Sequence, residues 1–158
     1  MASFWYTKTA DKIGKLSGTG ANFDLDLDTF KVGLSSTTHV PGKTTDEFLD
    51  DTGADDFIDG EPAPASSGYD GGFSGTGRHT LASRNWGISS ANVLLDAADD
   101  VWTAFNAGTI RQATLHKPNT TNANTSLMVN LDFTGAVTPG GSDFTLNYAA
   151  TGLGYFAT

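Results

Sequence analysis

Alternating aspartates near the start of the chain are the first residues whose spacing suits a chemical role. Asp24, Asp26 and Asp28 stand two residues apart, and carboxylates are the ligands that calcium prefers. A calcium loop of the EF-hand type beginning at Asp24 needs glycine at its sixth position and glutamate at its twelfth. Thr29 and Ser35 stand at those positions. The pattern therefore favours the solvent-facing polar side of a strand over a metal site.

Adjacent carboxylates also raise the question of glycoside hydrolysis. The pairs are Asp50-Asp51, Asp55-Asp56 and Asp99-Asp100. That reaction needs two carboxyl groups about 5 to 10 Å apart across a sugar cleft. Neighbouring residues in turns usually point apart into water, and the tryptophans that would line such a cleft are scattered along the chain.

The histidines and glycine-rich stretches do not form a recognisable catalytic motif. His39, His79 and His116 lie far apart and match no metal-binding spacing. Residues 72–75 lack the spacing of a serine nucleophile elbow. Residues 75–80 lack the third glycine and the lysine of a nucleotide-binding loop. We therefore expect no catalytic residue, no cofactor, no metal ion and no enzymatic activity.

Charge and composition narrow the set of partners. Eighteen Asp and Glu oppose nine Lys and Arg, giving a formal charge of −9, and cysteine is absent. Such a surface repels phosphate, so nucleic acid and anionic membranes are disfavoured. The first residues lack the basic and apolar regions of a signal peptide, so we expect synthesis and retention in the cytoplasm.

The elements that must carry any site are short alternating strands. Leu127, Val129, Leu131 and Phe133 recur every second residue and are predicted to share one face of a half-buried antiparallel strand. Turn-rich connections separate the segments, which is typical of a sandwich or barrel. We predict a mainly β, antiparallel β-sandwich, jelly-roll-like, as a single domain over residues 22–158. The predicted strands are 23–28, 30–34, 79–89, 92–96, 101–105, 109–117, 126–133 and 143–148.

The N-terminal segment, residues 1–21, is treated as a separate arm. Residues 3–17 fit a short helix, and the alternative is an extended arm led by Phe4, Trp5 and Tyr6. Three adjacent aromatic side chains cannot all face one core from a helix. At least one is expected to contact another molecule, and packing on the parent domain is the alternative. Removing residues 1–8 is expected to weaken that contact and leave the fold intact.

Residues 44–77, the acidic loop, differ in kind from the rest of the chain. They hold nine of the eighteen acidic residues and no Lys or Arg. Loops of this length are usually functional or disordered. We expect a surface loop anchored by its apolar residues and extending over a neighbouring molecule; a solvated insertion is the alternative. The anchors are Phe48, Leu49, Phe57, Ile58, Tyr69 and Phe73.

Six segments, in this order and spacing, resemble a family of small virion proteins of tailed bacteriophages. They are residues 28–34, 45–51, 77–84, 95–102, 109–117 and 141–148, the last leading to Gly152-Leu153. Together they span most of the chain after residue 22. The longer acidic loop and the Phe-Trp-Tyr start depart from the family pattern.

The resemblance implies a β-sandwich structural protein without catalytic residues. Within that family we favour a head decoration, or cement, protein on the outer surface of the virion head, bound to the major capsid protein. A homo-oligomer is expected, with trimers at threefold positions as the natural arrangement. The alternatives are a tail or fibre component that contacts the host and, more distantly, a carbohydrate-binding β-sandwich. The expected interface comprises Phe4, Trp5, Tyr6, Phe48, Leu49, Phe57, Ile58, Tyr69 and Phe73.

Overall fold

The computed structural model of the protein describes residues 3–9, 24, 27–51, 55–62, 68–89, 92–148 and 155–156. A four-residue helix, α1, spans Phe57–Gly60, and a single 3-10 turn spans Asn122–Asn124. The strands are β1 Phe4–Trp5, β2 Lys31–Ser35, β3 His79–Thr80, β4 Asn85–Ser89, β5 Asn92–Asp96, β6 Asp100–Phe105, β7 Ile110–Lys117, β8 Ser126–Val137, β9 Ser142–Leu146 and β10 Tyr155–Phe156.

The strands form antiparallel sheets. The largest has five strands in the order β1-β8-β7-β2-β3, a second has the order β10-β5-β4, and β6 pairs with β9 as a two-stranded ribbon. The mainly β, antiparallel fold predicted from the alternating sequence is confirmed. The jelly-roll-like connectivity stays a prediction.

The main core joins the five-stranded sheet to the β6–β9 ribbon. Val32, Leu34 and Leu115 of the sheet belong to one buried cluster with Trp102 and Leu146 of the ribbon. Fully burying side chains of this size contributes about 1.5 to 3 kcal/mol each. The packing is that of two layers with their apolar sides inward, as the period of two requires.

A β-bulge divides the apolar residues of β8 between two clusters. Leu115 pairs with Val129, but the next residue of β7, His116, pairs with Leu127, which leaves Met128 as an extra residue. An extra residue reverses which face the following side chains occupy. Val129 accordingly lies in the main core, whereas Leu127 packs in a second cluster. The prediction that Leu127 shares a face with Val129 is therefore wrong.

The other side of the five-stranded sheet is polar and nevertheless buried. It carries Ser35, Gln112, Thr114, His116 and Asn130, none more than 1% exposed. Alternation alone predicts that such a face meets water. Instead, the first half of the acidic loop and the preceding segment cover it.

Main-chain hydrogen bonds hold this cover in place. The amide of Leu49 donates to the carbonyl of Thr125 at 3.0 Å, and the amide of Leu127 donates to the carbonyl of Glu47 at 2.9 Å. The amide of Ser36 donates to the carbonyl of Gly60 at 2.7 Å. Leu49 and Phe57 complete the second cluster with Leu127. The loop therefore folds back on its own sheet, whereas the sequence pattern favoured extension over a neighbour.

The N-terminal residues are part of the main sheet. Phe4 and Trp5 pair with β8 opposite Asn130 and Val129, and Tyr6 is fully buried. Helical backbone begins only at residue 7, and residues 10–17 lie outside the described residues. Removing residues 1–8 would delete a core side chain and a paired strand. From the structure we therefore expect this truncation to destabilise the fold, contrary to the prediction made from the sequence.

Two predicted strands are interrupted. Residues 79–89 contribute β3 to one sheet and β4 to another, because Ser83 between them adopts a left-handed backbone conformation with φ of 50°. In the predicted strand 23–28, the described residues form a turn instead. There the amide of Leu27 donates to a carboxylate oxygen of Asp24 at 3.0 Å, and the amide of Asp28 donates to the Asp24 carbonyl at 2.9 Å.

Buried histidine makes the fold sensitive to acid. Burial, followed by the nearby Arg78 charge, lowers the pKa of His116 to about 3. The unfolded chain takes up this proton below about pH 6.5, whereas the folded protein excludes it until about pH 3, so acid favours unfolding across that window. In urea titrations we expect the free energy of unfolding to fall by up to about 1.4 kcal/mol per pH unit from about pH 6 to pH 4. His116→Gln should reduce this slope, and identical slopes in both proteins would contradict the assignment.

Candidate functional site

A buried ion pair fixes the second half of the acidic loop. The guanidinium of Arg78 donates from Nε to Oε1 of Glu61 and from Nη2 to Oε2, both at 2.6 Å. The two side chains are only 4% and 5% exposed. Two parallel bonds between planar groups give a charged pair a defined orientation as well as strength.

The remaining polar atoms of the ion pair also have partners. The Tyr69 hydroxyl donates to Glu61 Oε1 at 2.8 Å, and the amide of Gly72 donates to Glu61 Oε2 at 3.0 Å. Arg78 Nη1 donates to Oδ1 of Asn122 at 2.7 Å. Burial, together with the Glu61 carboxylate, raises the pKa of Tyr69 well above its ordinary value, so the phenol keeps the proton that it donates.

Tyr69 also connects the loop to the five-stranded sheet. Its hydroxyl oxygen accepts a hydrogen bond from the amide of Leu34 in β2 at 3.1 Å. The neighbouring Gly33 makes this approach possible, because a Cβ atom there would lie 2.7 Å from Phe57 Cζ and 3.2 Å from the Tyr69 hydroxyl. Arg78 completes the contact, with its guanidinium carbon 5.5 Å from the centre of the Phe57 ring.

Beyond this anchor the loop turns outward and presents one aromatic side chain. Gly72 has a left-handed backbone conformation with φ of 83°. A residue with a side chain would be strained in this conformation. The next residue, Phe73, is 45% exposed. The chain then closes on itself through the amide of Gly77, which donates to the carbonyl of Asp70 at 2.9 Å. Phe73 is thus an apolar group held on a short, braced turn.

The structure separates the nine predicted interface residues into three groups. Tyr6, Leu49, Phe57 and Tyr69 are at most 1% exposed, so they are core residues and present no surface to a partner. Their prediction as interface is corrected, because they anchor the covering segments to the sheet of their own chain. Phe4, Trp5, Phe48 and Ile58 are partly buried against the same domain, and Phe73 is the exposed member.

Sequence reasoning missed Glu61 and Arg78. The available signal was positional, since Arg78 is the first basic residue after Lys43 and directly follows a stretch that contains none. A lone basic residue at the end of an acidic segment has an abundance of carboxylate partners. Which carboxylate it binds depends on the path of the loop, and spacing alone does not give that path.

Carboxylates crowd the start of α1. Desolvation, followed by the charges of Asp51, Asp59, Asp50 and Asp46, raises the pKa of Asp56 to about 6. In the described residues no group of three or more His, Asp or Glu side chains is placed to hold a metal ion. The neighbouring carboxylates disfavour the charged form of Asp56.

Removing one partner of the buried ion pair should destabilise the protein strongly. Glu61→Ala leaves the Arg78 guanidinium buried without its counter-charge, for which we expect a loss of about 3 kcal/mol in unfolding free energy. Lys117→Ala is the control, because its ion pair with Asp28 is about one-fifth exposed, more accessible to water than the Glu61–Arg78 pair, and should contribute less. Equal losses in the two variants, measured by urea denaturation, would show that the buried pair has no special role.

Relieving the carboxylate repulsion should have the opposite effect. Asp56 binds a proton more readily in the folded protein than in the unfolded chain, so protonation of Asp56 stabilises the fold. This contribution is fully present below about pH 4 and is lost as the pH rises through about 6. Because Asp56 is partly exposed and screened, we expect Asp56→Asn to stabilise the protein at pH 7 by less than about 1 kcal/mol and to change little at pH 4. Asp70→Asn, outside this group of carboxylates, is the control. A loss of stability at pH 7 in Asp56→Asn would contradict the assignment.

Comparison with known proteins gives no relative. No protein-family model, no curated protein and no solved structure matches the chain. Among the described residues, no helix is long and apolar enough to cross a membrane.

Proposed function

We propose that this protein is a capsid decoration protein of a tailed bacteriophage, bound to the outer surface of the assembled head. The observation that carries the proposal is the exposed Phe73 on a turn braced by the Glu61–Arg78 ion pair. Large apolar residues at well-packed positions dominate binding energy in protein interfaces. Because the turn is already ordered, its entropy is not lost on binding.

Charge supports an external position. The formal charge of −9 favours solubility and opposes contact with packaged DNA, so the outside of a filled head suits this chain better than its lining. The antiparallel sheets and the resemblance to small virion proteins support the same assignment. The partner in this proposal is the major capsid protein, contacted at junctions between its subunits by a homo-oligomer of the chain.

The mechanism is stabilisation by selective binding. A protein that binds the assembled lattice and not free subunits shifts the assembly equilibrium by mass action. A contact of this kind has to bury at least about 1,000 Å² to persist. One aromatic side chain is too small for that, so Phe73 acts as the central anchor of a wider patch that includes neighbouring loop surface.

Copy number separates this proposal from a tail or fibre protein. Quantitative mass spectrometry of tailless heads and of isolated tails from the parent particle measures it directly. Decoration requires tens to hundreds of copies on heads, whereas a few copies confined to tails would refute it.

A binding experiment tests the role of Phe73. Phe73→Ala should bind heads stripped of the protein with at least about tenfold lower affinity, because a central aromatic anchor is lost. Its occupancy on those heads should fall accordingly. Its circular dichroism and melting temperature should change little, since the side chain is exposed. Leu27→Ala is the matched control, because Leu27 is 80% exposed on a different turn. Full occupancy by Phe73→Ala would show that this residue is not the anchor.

A further inference from the structure

A cleft of about 300 Å³ opens between residues 68–77 and strand β6. Its lining includes Asp70, Thr76, His79, Val101 and Thr103. This volume is at the lower end of the range for small-molecule sites. The cleft shares residues 68–77 with the turn that carries Phe73, but Phe73 itself does not line it.

Two glycines let the walls of the cleft pack closely. Gly68 has φ of 71°, and a Cβ atom there would lie 2.4 Å from the carbonyl oxygen of Thr103. At Gly77 a Cβ atom would lie 2.8 Å from the amide nitrogen of Asp70. Both positions thus let main chain approach closely, and the cleft is formed before any ligand enters. A ligand would pay little ordering entropy to bind such a site.

His79 is fixed in the wall by stacking and by a carboxylate. Its ring lies flat on Trp102, with centroids 4.3 Å apart and an angle of 13° between planes. Its Nδ1 is 3.3 Å from Oδ1 of Asp100, and the hydroxyl of Tyr148 donates to the other oxygen of that carboxylate at 2.8 Å. Trp102 in turn donates from Nε1 to the carbonyl of Gly77 at 2.6 Å.

The polar groups of the lining favour a neutral ligand with several hydroxyls. The carboxylate of Asp70 accepts hydrogen bonds, while the hydroxyls of Thr76 and Thr103 both donate and accept. No Lys or Arg lines the cleft in the part of the chain that the structure describes, and the chain is strongly acidic. Anionic ligands such as phosphate are therefore disfavoured, and a single carboxylate with hydroxyls and an imidazole suits a polyol.

We propose that this cleft binds one neutral sugar unit. Asp70, Thr76 and Thr103 would bond its hydroxyls, Val101 would contact its apolar ring face, and Nε2 of His79 would supply a further hydrogen bond. The site is a property of the isolated chain. Sugar binding is therefore measured without capsids, and its outcome is distinguishable from that of the decoration experiments.

The test is a titration of the isotope-labelled full chain, monitored by amide chemical shifts. The probes are glucose, galactose, mannose and N-acetylglucosamine, with arginine amide and inorganic phosphate as charged comparisons. We expect saturable shifts at Thr76, Gly77 and Thr103 with at least one sugar. The expected dissociation constant is between about 1 and about 10 mM. Asp70→Ala should weaken binding about tenfold and Thr103→Val about fivefold.

Asp59→Ala is the control, because it removes an exposed aspartate that does not line the cleft. Three results would overturn the proposal. The first is no saturable shift with any sugar at about 50 mM, far above the expected dissociation constant. The second is a saturable shift only with arginine amide or phosphate. The third is equal affinity in Asp70→Ala, Thr103→Val and the unaltered chain, with native spectra in all of them.

Discussion

The buried pairing of Glu61 with Arg78 is the interaction on which the acidic loop depends. Removing two charges from water is costly, and the cost is tolerated only where geometry is good and the other polar atoms are satisfied. Here Tyr69, Gly72 and Asn122 supply those further bonds. One pair of side chains thereby connects the loop, strand β2 and the turn before β8, and it makes an acidic stretch part of the folded domain.

The polar side of the five-stranded sheet explains why such a loop is needed. Gln112, Thr114 and His116 would suit a solvent-exposed face, yet they are buried beneath the covering segment. The side-chain amide of Gln112 donates to the carbonyl of His39 at 2.8 Å. The covering segment therefore supplies a hydrogen-bond partner to one of these buried polar groups. Displacing the cover would expose the apolar side chains of Leu49 and Phe57 to water. The loop therefore contributes a layer to the fold, and its outward turn is the part left for recognition.

The alternation of apolar residues was sufficient to predict the antiparallel strands, because a period of two has a direct geometric meaning. It was insufficient at Met128, where one extra residue reverses the faces, and at Ser83, where a left-handed residue ends a strand. Phe57 and Tyr69 of the acidic loop are the anchors that the sequence predicted, whereas Phe73 is exposed. Composition does not reveal whether an anchor binds its own sheet or a partner. The Glu61–Arg78 pair required the fold, since the two residues meet only after the loop has closed.

Decoration of a capsid and binding of a sugar unit both presuppose that residues 68–77 are ordered in the free protein. Amide hydrogen exchange of Gly72 tests that premise most directly, because its amide donates to Glu61 Oε2 at 3.0 Å. If the ion pair braces the turn, this amide should be strongly protected, with an opening free energy well above that of a frayed loop. Exchange of the Gly72 amide at the rate of an unstructured peptide would contradict the account.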